Sequence, residues 1–127
     1  MDIKLKVVGL SAAPSKKQLN SEWIEIHNEG EQPFNGEGCA ITVVPKNAKG
    51  RPRMVTSLKA GLVIQPDEHV RLVSGSPGKK SQGDAPAEDD TRNYHLFLKV
   101  PYLDKKNLLV RFVNRQQVEL CRVVHGG

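Results

Sequence analysis

Apolar residues along this chain recur mostly at every second position. In "IKLKVVGL" (3–10), Ile3, Leu5 and Val7 point one way and Lys4 and Lys6 the other. In "EWIEIHN" (22–28), Ile24 and Ile26 stand opposite Trp23 and Glu25. "EHVRLVSG" (68–75) sets Val70 and Leu72 against Arg71 and Val73. A period of two is the signature of a half-buried strand. "CAITVVP" (39–45) is almost continuously apolar, as a central strand is. "RMVTSL" (53–58), "GLVIQP" (61–66), "NYHLFLKV" (93–100), "NLLVRFVN" (107–114) and "QVELCRVV" (117–124) complete the set. β-branched and aromatic residues dominate these runs because they fit a pleated surface.

No segment keeps a helical apolar stripe over three turns. "SAAPSKKQLNSE" has room for a single turn, with Pro14 and its polarity against more. The pattern predicts an all-β fold of about eight or nine short strands, spaced roughly 8–14 residues apart, the rhythm of an antiparallel sandwich or barrel. Two connections are long. "PKNAKGRPR" (45–53) is basic. "SGSPGKKSQGDAPAEDDTRN" (74–93) holds no apolar residue larger than Ala, so it is expected to be mobile.

Composition narrows this picture only a little. A chain of 127 residues suggests a single domain, 1–127, with one core. Its net charge of +5 favours acidic partners without choosing one. No run approaches the ~18 apolar residues of a membrane helix. The opening "MDIKLKVVGL" lacks the cationic start and unbroken apolar segment of a leader, so a cytoplasmic location is expected. Cys39 and Cys121 sit in apolar runs and read as buried thiols, with a bridge between two sheets as the alternative.

Candidate chemistry is sparse. The four histidines, His27, His69, His95 and His125, are scattered, with no metal-ligand spacing among them. No serine sits in a nucleophile elbow. Glu22 and Glu25 are expected on the wet side of their strand or at its end, and three residues apart they face opposite ways. "EDD" (88–90) lacks the spaced ladder of a calcium loop. No catalytic residue, metal ligand or cofactor is therefore expected. The basic loop is the sharper feature. Lys46, Lys49, Arg51 and Arg53 surround Gly50-Arg51-Pro52, which is similar to the AT-hook, an extended segment laid in the DNA minor groove. Lys79 and Lys80 would extend a positive surface. Against this polyanion reading stands a simpler one, a charged turn between strands.

The stretch "SEWIEIHNEGEQPFNGEGCAI" carries a second resemblance. Glu22, Trp23, Ile24, Glu25, Ile26 and Asn28 form an E-[aromatic]-[V/I]-E-[I/L]-x-N strand. Gly30 and Glu31 follow as a turn, Phe34 fills an apolar slot, and Gly38 and Ile41 come next. "VIQPDEHVRLVSG" adds Pro66, Val70, Leu72, Ser74 and Gly75. "NLLVRFVNRQQVELCRVV" resembles a closing hairpin. Together these segments resemble the lamin tail domain family. Cys39 stands where that family often has Trp, and Asp67 where it usually has Gly. The resemblance implies an immunoglobulin-like β-sandwich that is not an enzyme and that docks protein partners through its loops, with nucleic acid contact in some members.

Overall fold

The computed structural model describes residues 3–45, 51–58, 61–104 and 107–126. Among them the alternating runs become ten strands. These are β1 (Leu5–Ser11), β2 (Trp23–Asn28), β3 (Phe34–Asn35), β4 (Ala40–Pro45), β5 (Arg53–Ser57), β6 (Val63–Ile64), β7 (His69–Val73), β8 (Arg92–His95), β9 (Leu108–Val113) and β10 (Glu119–His125). Two short 3₁₀ segments, Lys16–Ser21 and Lys80–Gln82, are the helical elements among the described residues. The first exceeds the single turn expected of "SAAPSKKQLNSE": two turns join across a kink at Gln18, the first started by the Ser15 hydroxyl, which accepts from the Lys17 N–H.

The strands form a β-sandwich-like arrangement. One sheet has the order β1-β2-β7-β8 and the other β10-β9-β4-β5. The two-residue strands β3 and β6 pair separately. One detail departs from the antiparallel expectation: β8 runs parallel to β7, Val70 beside Arg92 and Val73 beside His95. The long 74–93 connection is what allows this, since a parallel neighbour needs a crossover rather than a tight turn. That connection is also tied down. The buried Asn20 amide donates to the carbonyls of Ser76 and Gly83 at 2.9 and 3.0 Å. The Gln82 side-chain oxygen accepts from the Ser76 N–H at 2.7 Å.

The core lies between the two large sheets. Ile24, Ile26, Val70 and Leu72 face Ile41, Val43, Val110 and Phe112 across it. Phe34 and Ile64 of the small pair cap the same core, with Phe34 edge-on to Phe112 at 6.1 Å. Burial on this scale is the main stabilising term, at roughly 25 cal/mol per Å² of apolar surface removed from water.

Both cysteines are buried free thiols. Cys39 precedes β4 and Cys121 lies in β10, so both belong to one sheet rather than to facing sheets. Burial, with Glu119 and the other thiol nearby, pushes Cys121 up to about 12, which keeps it protonated and unreactive.

Candidate docking cleft

Polar anchors at both ends of β2 fix the frame. Glu22, just before the strand, is fully buried rather than on the wet side. Glu22 lies two residues before Ile24 and so shares its inward face, where backbone donors converge on the carboxylate. Its carboxylate accepts from the Ser74 hydroxyl at 2.7 Å and from the N–H groups of Tyr102 and Leu103 at 3.1 Å each. Desolvation raises its pKa above the ordinary 4.5, against the pull of these three donors. The Leu103 carbonyl in turn accepts from His125 Nε2 at 2.9 Å. Glu22 thus links the ends of β2 and β7 to a strap that also holds β10.

Asn28 does the same at the far end. Its amide nitrogen donates to the carbonyls of Gln32 and Ile64, and its oxygen accepts from the Gly30 N–H, all at 2.9 Å. Its backbone N–H and carbonyl bond Glu68 and Asp67. Gly38 completes the corner. It has φ 83°, and a Cβ there would lie 1.9 Å from Arg115 Nε. Glycine is needed both for the left-handed backbone and for the close approach.

Between these anchors, Trp23, Glu25 and His27 face outward, while Ile24 and Ile26 enter the core. Arg71 lies over the Trp23 ring at 5.5 Å. The His27 and His69 rings stack at 4.1 Å, 14° from parallel. His27 Nε2 meets Asp67 at 2.9 Å and His69 Nδ1 meets Glu25 at 2.8 Å. Each imidazole is engaged by its own carboxylate, and stacked rings do not converge on a shared point. Among the described residues no group of three or more His, Cys, Asp or Glu is placed to hold a metal ion.

The two sides of the sandwich differ. On one side β1 lies against β10. On the other, the edge strands β5 and β8 stand apart around a cleft of about 520 Å³. Leu58 and Leu96 contribute apolar surface, Thr56 and Ser57 line the β5 side, and Asn93, Tyr94 and His95 line the β8 side. Pro77 and Phe97 complete the lining. The His95 ring is oriented by Nδ1–H donation to the Gly75 carbonyl at 3.0 Å.

Phe97 is the unusual member. The pattern of "NYHLFLKV" predicts one strand over 93–100, but β8 ends at His95. Leu96 and Leu98 both bond inward, to the carbonyls of Val73 and Ser74 at 2.7 Å each. Phe97 bulges between them with φ 57°, and its side chain is 64% exposed. A left-handed backbone costs a non-glycine residue about 1–2 kcal/mol. Here that cost holds a large apolar ring in water at the mouth of a cleft, a combination that marks interaction surfaces. Met54 on β5 and Val100 after the bulge are also exposed. In the sequence the signal was Phe97 on the same face as His95 and Lys99, an aromatic residue on a polar face.

The basic residues singled out from the sequence are placed differently. Lys46 and Lys49 lie outside the described residues. Arg51 and Arg53 are exposed, with Arg53 opening β5. Lys79 and Lys80 are exposed just beyond Pro77. Pro77 and the far end of β5 line the same cleft, whereas Arg53 sits four residues back, ~13 Å along the strand. The two basic pairs are therefore not brought together by any described contact. Among the described residues no helix is long and apolar enough to cross a membrane. No protein-family model matches the chain, and no curated protein matches it either.

Proposed function

We propose that this chain is a non-enzymatic recognition module of lamin-tail type, with an immunoglobulin-like sandwich that binds protein partners. The observation that carries the reading is the open side between β5 and β8, where an apolar cleft is flanked by two sheet edges and an exposed, bulged Phe97. Concave, largely apolar sites with a few oriented polar groups are where partners dock.

The corner geometry supports the family likeness. Asn28 and Gly38, two positions of the motif, make the turn-closing bonds and the left-handed backbone the motif needs. Asp67, where that family usually carries Gly, has φ 66°. Aspartate tolerates the left-handed region better than most residues, so the substitution keeps the turn.

Positional photo-cross-linking tests the reading. A photoreactive phenylalanine analogue at position 97 is expected to capture partner protein from the native source, and excess unlabelled chain to compete it away. The same analogue at Val118 or Val124, exposed but away from the cleft, is the control. Equal capture at all three positions, or none at 97, would refute the cleft as the docking site.

A second reading, polyanion binding through Lys46, Lys49, Arg51, Arg53, Lys79 and Lys80, rests on one observation. Arg51, Arg53, Lys79 and Lys80 are exposed. It predicts affinity that falls steeply as salt rises.

A further inference from the structure

The geometry points to an extended peptide as the occupant of the open side, one that adds as a strand to the outer edge of β8 and carries acidic residues at one end. This inference rests on the recognition-module reading and specifies its partner and its mode.

The backbone of β8 is prepared for such a neighbour. Leu96 and Leu98 turn their N–H groups inward. Strand alternation then turns those of Asn93 and His95 outward. The Asn93 N–H is taken by the Glu88 carboxylate at 2.9 Å, which seals the start of the edge. His95 lines the cleft beyond that seal, and β8 pairs with β7 alone among the described strands. What remains of the edge is short: the His95 N–H and carbonyl and the Asn93 carbonyl face outward beside the apolar floor with no partner among the described residues. Strand addition uses such groups: main-chain bonds supply affinity and alternate side chains supply specificity. Phe97 then covers an apolar side chain of the incoming strand.

Charge selects the occupant. Exposed Lys79 and Lys80 follow Pro77 at the second and third positions, and exposed Lys99 follows Phe97 at the second. Glu88, Asp89 and Asp90, also exposed, sit at the opposite, Asn93 end. A peptide acidic at one end meets the lysines with that end and avoids the carboxylates with the other. A nucleic acid, negative throughout, would meet repulsion at the Asn93 end and would leave the strand edge unpaired.

The test uses a phage-displayed library of random dodecapeptides selected on the full chain, with the enriched peptides synthesised and titrated by fluorescence anisotropy. Enriched sequences are expected to alternate apolar and polar residues and to end in Asp or Glu. Methylation of alternate backbone nitrogens is expected to abolish binding, and Phe97→Asn to weaken it about tenfold or more. Asn accepts the left-handed backbone at this exposed position, so the variant keeps its fold. Lys79→Glu with Lys80→Glu is expected to weaken acidic peptides selectively. Failure of the library to enrich, or binding indifferent to both N-methylation and Phe97→Asn, overturns the proposal. Cleft-specific cross-linking without peptide enrichment overturns strand addition and leaves the module reading standing, whereas loss of both removes both. A concentration-dependent dimer abolished by Phe97→Asn would assign the edge to a second copy and overturn the peptide.

Discussion

Replacing Glu22 probes the frame that holds the cleft in place. In Glu22→Ala the N–H groups of Tyr102 and Leu103 lose their acceptor in a site closed to water, and the Ser74 hydroxyl loses its partner. Each buried, unsatisfied donor costs about 1–3 kcal/mol. Removing the carboxylate also removes its own desolvation cost, so the net loss expected is about 3–4 kcal/mol. For a domain of this size that lowers Tm by roughly 10 °C or more. Glu22→Gln keeps an oxygen able to serve Ser74 and Tyr102 but turns an NH₂ towards the Leu103 N–H, so the expected loss is smaller, about 1–3 kcal/mol.

The pH dependence adds a signed check. The folded-state pKa of Glu22 is raised by burial, so between the ordinary 4.5 and the folded value the folded protein holds a proton the unfolded chain has released. Its contribution to stability therefore falls as pH rises through that window and is constant above it. Urea unfolding of the wild type and of Glu22→Gln across this range is expected to show the fall in the first and its absence in the second. An Ala variant within about 1 kcal/mol of wild type would refute the anchor role, since that is less than one lost buried acceptor. So would a pH slope unchanged in Glu22→Gln.

Three further outcomes follow from the same geometry. Asn28→Ala removes three side-chain hydrogen bonds at a buried corner and is expected to cost about 3 kcal/mol by chemical denaturation, with Asn28→Asp little better because the two amide donations are lost. Gly38→Ala forces Arg115 off its position and strains the left-handed backbone, so a loss of at least ~1 kcal/mol is expected in thermal unfolding. Arg51→Ala with Arg53→Ala is expected to leave stability within about 0.5 kcal/mol of wild type, since both side chains are exposed; if the polyanion reading holds, the double variant elutes from a DNA column at lower salt.

The strands were legible because alternation is a local property. Ile24 and Ile26 against Trp23 and Glu25, or Val70 and Leu72 against Arg71, fix which face is buried before any partner is known. Strand pairing was less legible. Nothing within "RNYH" says that β8 lies parallel to β7, because that depends on where a long connection returns. The burial of Glu22 departs from the expected wet site for a related reason: the N–H groups of Tyr102 and Leu103 that donate to it lie some eighty residues away. Asn28 and Gly38 are more local features, since an Asx corner and a left-handed glycine depend on a few neighbouring residues. The cleft is the least local feature of all. It exists only because β5 and β8, from separate halves of the chain, end up as facing edges, and the one sequence hint was an aromatic residue on a polar face.

Amide hydrogen exchange, with and without the partner recovered by cross-linking at position 97, tests the central claim most directly. The account predicts slowing at His95, at Phe97 and along residues 56–58, with β1 and β10 unchanged. Protection confined to the β1 and β10 side, or to residues 51–53 without His95 and Phe97, would contradict it.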